Sequence, residues 1–75
     1  MNSIKNKVIV VTGGNGLLGK ELIDYLYKAG ACPMNFEIGI ESDFDRDLYY
    51  CDVTDKLSVE NAISAVLAKF GRIDG

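Results

Sequence analysis

The 75-residue chain has no histidine, one proline and two cysteines, Cys32 and Cys51. Without histidine and without a C-x-x-C pair, a zinc site has no ligand set to build on. No apolar stretch approaches the ~20 residues of a membrane span. The opening MNSIKNK lacks the apolar centre of a secretion signal, so the expected setting is cytoplasmic, with no membrane partner. Basic residues are few and scattered: Lys+Arg total 8 against 11 Asp+Glu, a formal charge of −3, which argues against a nucleic-acid partner. The chain is long enough for one small domain, which buries only ~60–65% of its unfolded surface and has little stability to spare. There are no internal repeats, low-complexity tracts or linkers.

Glycine, in contrast, is concentrated in one place. The stretch TGGNGLLG, Thr12 to Gly19, follows the β-branched run Val8-Ile9-Val10-Val11 and precedes a segment in which Leu18, Leu22, Tyr25, Leu26 and Ala29 recur at helical spacing. The run suits a strand buried on both faces, the segment suits an amphipathic helix, and Gly30 is placed to end it. The glycines therefore occupy a tight turn from a strand into a helix N-terminus, where unpaired N–H groups and the positive end of the macrodipole favour a phosphate. Gly14, Gly16 and Gly19 satisfy G-x-G-x-x-G, and Gly13, Gly16 and Gly19 an overlapping pattern. The first glycine turns the chain, the middle one lets the backbone approach a pyrophosphate, and Gly19 brings helix and strand together. A P-loop is excluded, because Gly19-Lys20-Glu21 lacks the hydroxyl that would follow the lysine.

Further along, a second strand is expected over Met34 to Ile38, with Pro33 confined to a first residue or an edge. Ile40 to Asp47 reads as a surface loop or a single helical turn, and Leu48 to Cys51 as a third strand. Thr54 is the expected cap of a helix running to Phe70, with Val59, Ala62, Ile63, Val66, Leu67 and Phe70 as its buried stripe. Gly71 ends that helix, and Arg72 to Gly75 looks like the entry to a fourth strand. The alternation predicts an α/β Rossmann-like parallel sheet, strand order 3-2-1 with a fourth strand only begun, and helices on both faces. Cys32 and Cys51 then lie near opposite ends of neighbouring strands, too far apart to bridge, and are expected as free thiols.

Glu37 stands about 18 residues after Gly19, near the ~20-residue offset of the carboxylate that accepts ribose hydroxyls. A carboxylate there repels a 2′-phosphate, and Arg46 is the sole basic residue between Cys32 and Asp55, so NAD is expected rather than NADP. Glu41 is the rival if the strand runs longer.

TGGNGLLG, CDVTD at Cys51 to Asp55 and KFGRIDG at Lys69 to Gly75 together resemble the short-chain dehydrogenase/reductase family. The first looks like the nucleotide-sugar epimerase branch of that family, the other two like its shorter dehydrogenases. The resemblance implies a dinucleotide site made by Thr12, Gly13, Gly14, Asn15, Gly16, Leu17, Leu18 and Gly19 around the pyrophosphate, with Asp52 reaching the adenine amino group and Val53 the adenine ring. It also implies that residues 1–75 are the N-terminal part of a single NAD(P)-binding domain, ending before the catalytic segment, in a protein expected to be homo-oligomeric. The family's catalytic serine and Tyr-x-x-x-Lys have no counterpart here, since none of the 4 tyrosines has a lysine at that offset. Two functions stay open: part of an oxidoreductase moving hydride between NAD(P) and an alcohol or carbonyl, or a non-catalytic nucleotide-binding or interaction module.

Overall fold

The computed structural model describes residues 3–75; Met1 and Asn2, the first two residues of the MNSIKNK stretch, lie outside it. In chain order come β1 (Val8–Thr12), α1 (Leu17–Lys28), β2 (Cys32–Glu37), a single 3-10 turn (Phe44–Arg46), β3 (Leu48–Tyr50) and α2 (Lys56–Phe70). The strands form a parallel sheet with β2 in the middle, Val8 opposite Cys32 and Glu37 opposite Tyr50. Side chains alternate across it. On one face Val8, Met34, Phe36, Tyr49 and Cys51 pack against Ala62 and Val66 of α2. On the other, Val11, Ala31 and Ile9 meet Leu26 and Ile23 of α1. This is the Rossmann-like α/β arrangement with a helix on each face. Cys32 and Cys51 are both free thiols.

The sheet has three strands among the described residues, and the expected fourth is present only as backbone hydrogen bonds from the last two residues to the edge of β1. The Asp74 N–H donates to the Val8 carbonyl at 2.8 Å and the Val10 N–H to the Gly75 carbonyl at 2.7 Å, along the free edge of β1. The Asp74 carboxylate accepts from the Val8 N–H at 2.8 Å and is gripped by Arg72 at 2.7 Å. Those contacts hold its pKa below the usual carboxylate range, the Arg72 hydrogen bonds contributing most and the Val8 N–H next.

Five local expectations are corrected. β2 begins earlier and ends earlier than Met34 to Ile38, and Pro33 is its second residue, buried inside it. The strand tolerates Pro33 because β3 pairs only from Asn35 onward, so no ladder partner is lost on that side. In α1, Leu26 is buried but Leu18 is 80% and Tyr25 65% exposed, with Leu22 and Ala29 also outward. Gly19, Ile23 and Leu26 form the packed face instead, because Gly19 seats the helix on the loop before it. In α2 the cap is Asp55, whose carboxylate accepts from the Leu57 N–H at 3.1 Å. The Thr54 hydroxyl donates instead to Asp52 at 2.7 Å. Leu67 faces outward, while Ser58 is buried and Ala65 packs against the core.

The 3-10 turn stands where a second crossover helix would be expected. Lys69 straps it to α2, donating to the Phe44 carbonyl and to the Asp47 carboxylate at 3.1 Å. Beneath it Phe44 and Phe36 flank the Tyr49 ring at 5.3 and 5.6 Å. The Tyr49 hydroxyl has no hydrogen-bond partner among the described residues, and burial raises its pKa.

Candidate functional site

The glycine loop is an extension of β1. Gly13 still donates to the Phe36 carbonyl of β2 at 2.9 Å, but its φ of +69° reverses the chain, a conformation that costs other residues steric strain. Its carbonyl then accepts from the Gly16 N–H at 3.0 Å, closing a tight turn. Gly14 is buried in that turn: a Cβ there would collide with the Asn35 Oδ1 and lie 2.5 Å from the Ile23 Cδ1. At Gly19 a Cβ would strike the Gly13 carbonyl oxygen and come within 2.7 Å of the Gly14 Cα, so its bareness brings α1 down onto the loop. At Gly16 the nearest such atom is the Gly13 carbonyl oxygen at 3.4 Å, and the remaining space is open. Of the two overlapping glycine patterns, the one starting at Gly13 thus describes the turn, and Gly14 is a packing glycine.

Gly16 is the first flanking residue of α1, and no side chain caps that end. The N–H groups of Leu17, Leu18 and Gly19 have no partner among the described residues. These three residues line a shallow cleft of about 520 Å³ together with Thr12, Gly13, Gly16 and the exposed Leu22. A second cleft of about 420 Å³ continues across the ends of β2 and β3, and the two share Thr12 and Gly13. Glu37, Asp52 and Val53 line the second cleft, so the acid and the apolar residue expected beyond the strands meet the loop at one edge of the sheet. Ligands of open α/β sheets bind at this carboxyl edge. Glu41 is exposed and outside both clefts.

Each acid has a defined state. The Glu37 Oε2 accepts from the Asn15 N–H at 3.0 Å, and its Oε1 has no partner among the described residues. The Asp52 Oδ1 accepts from the Thr54 hydroxyl and, at 3.0 Å, from the Thr54 N–H. The hydroxyl bond first and the N–H second hold its pKa below the ordinary range, so it stays ionised. The Asp52 N–H donates to the Ser58 hydroxyl at 2.9 Å, fixing the chain's exit from β3 against α2. Asp52 is thus a turn residue that also lines the cleft, with its Oδ2 unpartnered among the described residues.

Two residues here escape the motif reading. Ile38, the residue just after β2, is exposed and lines the second cleft beside Val53. Asn35 makes a pair of hydrogen bonds to the loop, from Gly14 N–H to its Oδ1 at 3.1 Å and from its Nδ2 to the Asn15 Oδ1 at 3.0 Å. The signal for Asn35 was available: an amide in a strand interior, two residues before the acid and hence on the same face.

No family model matches the chain. Sorbitol-6-phosphate 2-dehydrogenase of Klebsiella pneumoniae is 31% identical over 77 residues, covering 97% of this chain and 29% of that protein. Short-chain dehydrogenase reductase 3b of Arabidopsis thaliana is 28% identical over 81 residues, covering 95% of this chain and 31% of its own length. Aldohexose dehydrogenase of Thermoplasma acidophilum, in its ligand-free form, superposes with a TM-score of 0.80 over 93% of this chain and 28% of that one; at 24% identity this is a likeness of fold. The curated relatives are dehydrogenases of one family. In sequence and in fold, the chain resembles the short-chain dehydrogenases/reductases, over a segment that makes up about 30% of such a protein.

Proposed function

We propose that residues 1–75 are the N-terminal dinucleotide-binding portion of a short-chain dehydrogenase/reductase, and that the dinucleotide is NAD. One observation carries this reading: the uncapped N-terminus of α1 and the Glu37 carboxylate open onto one continuous surface, joined at Thr12 and Gly13. The residues fit the group. The open side of Gly16 leaves room for a pyrophosphate against the backbone, and the N–H groups of Leu17, Leu18 and Gly19 supply donors at the positive helix end. The free Glu37 oxygen accepts ribose hydroxyls, the Asp52 Oδ2 accepts from the adenine amino group, and Val53 and Ile38 offer apolar surface to the ring. Thr12 and Gly13 form the floor between them, while Gly14 and Asn15 shape the turn from behind.

A bound nicotinamide would supply the hydride acceptor or donor for an alcohol or carbonyl. This chain's own residues bind and orient the adenosine and phosphate end. Glu37 disfavours the 2′-phosphate of NADP by repulsion. The parent protein is read as a cytoplasmic homo-oligomer, in line with its family resemblance. Calorimetric titration tests the cofactor assignment: NAD should bind and NADP should bind more weakly, whereas equal affinity for the two would overturn the role of Glu37.

A further inference from the structure

Asparagine is a poor strand residue, because its amide competes for nearby backbone groups. Asn35 nevertheless sits inside the central strand, paired with Val11 on one side and Leu48 on the other. Its amide is spent on the glycine loop. The Oδ1 accepts from the Gly14 N–H at 3.1 Å and the Nδ2 donates to the Asn15 Oδ1 at 3.0 Å. Two residues along the same strand face, Glu37 takes the Asn15 N–H at 3.0 Å. The contact is a fitted one, since a Cβ on Gly14 would fall on the Asn35 Oδ1.

These bonds turn the loop's own N–H donors at Gly14 and Asn15 back onto β2. The cleft is left with the donors of Leu17, Leu18 and Gly19, whose direction follows from how the loop is seated. We infer that Asn35 is a positioning residue for the dinucleotide. It acts through Gly14 and Asn15 without touching the ligand, setting where the start of α1 meets the pyrophosphate. The inference rests on the dinucleotide reading above. A loop seated in advance spares the ligand the cost of ordering it, so the effect should fall on phosphate-bearing ligands.

The test compares ADP-ribose with adenosine on the 75-residue chain and on two variants, by titration followed through the loop amide resonances. Asn35→Leu keeps the side chain's size but leaves the buried Gly14 N–H without its acceptor. It should weaken ADP-ribose about tenfold and adenosine less than about twofold, and should speed exchange of the Gly14 amide proton. Asn15→Ala lies on the exposed side of the loop, where the fold is not at risk, and should weaken ADP-ribose about threefold. If Asn35→Leu does not fold, Asn15→Ala decides. Unchanged ADP-ribose affinity, or an equal loss for both ligands, overturns the positioning role while leaving the dinucleotide reading intact. A parent chain that binds neither ligand removes that reading and this inference together.

Discussion

The backbone N–H of Asn15 and the carboxylate of Glu37 are joined at 3.0 Å, so the tip of the glycine loop and the end of the central strand hold each other in place. One Glu37 oxygen is occupied by this bond, and the other has no partner among the described residues in a side chain that lines the cleft. An acid that would otherwise be a mobile charge at a strand end has a fixed direction. Glu37→Ala should therefore weaken NAD binding by about 1–3 kcal/mol, the worth of charge-assisted hydrogen bonds to the ribose, and narrow the preference over NADP. Calorimetry with both dinucleotides measures it. Unaltered NAD affinity would reduce Glu37 to a loop-fixing residue.

The glycines should separate into two classes. At Gly16 an added side chain meets only one atom, at an ordinary contact distance, so Gly16→Val should leave the circular dichroism spectrum in place and abolish dinucleotide binding. At Gly19 even a Cβ overlaps the loop backbone, and Gly19→Val should destabilise the fold through overpacking by about 1–3 kcal/mol or more, read as a lowered unfolding midpoint. Retained NAD affinity in the Gly16 variant would contradict the phosphate assignment. A Gly19 variant as stable as the parent would contradict the packing one.

Asp74 predicts a pH dependence. Its folded pKa is depressed by Arg72 and the Val8 N–H, so over the acidic window the unfolded chain binds the proton more readily. Its contribution is present above the ordinary carboxylate range and fades as the pH falls through the lowered folded value. Asp74→Asn should thus unfold at a lower temperature than the parent at neutral pH, with the gap closing in strong acid. A gap that is constant with pH would mean that the charge contributes nothing.

Association is the fourth expectation. Leu17, Leu18, Leu22 and Tyr25 form an outward apolar stripe on α1, and β1 has a strand-like neighbour only as far as Gly75 reaches. A core this small rarely supplies more than ~3–5 kcal/mol. The isolated chain should self-associate or unfold with low cooperativity at micromolar concentration. Sedimentation of a rigid, cooperatively folding monomer would count against it.

Much of this architecture was legible in the order of residues. The β-branched run, the glycine turn and the helical periodicity gave the α/β alternation, the strand order and the meeting of the loop with Glu37 and Asp52. Fine packing was less so. Apolar periodicity in α1 pointed to Leu18, Leu22 and Tyr25, yet a glycine with no hydrophobicity at all decides which side of that helix meets the sheet. The cap of α2 moved from Thr54 to Asp55 because a neighbouring acid, Asp52, claimed the threonine hydroxyl, a competition that a local cap rule does not see. Asn35 left only a partial signal, an amide in a strand interior two residues before Glu37, because its partners lie about 20 residues away on the loop and the parallel register brings them together.

The central claim is that this chain recognises the adenosine and phosphate end of NAD. On the proposed reading, its glycine loop, Glu37 and Asp52 all address groups that NAD shares with ADP-ribose. The decisive measurement is the affinity of the purified chain for the two ligands side by side. The account predicts that both bind weakly and about equally. Failure of both to bind, or NAD binding at least tenfold tighter than ADP-ribose (~1.4 kcal/mol), would contradict it.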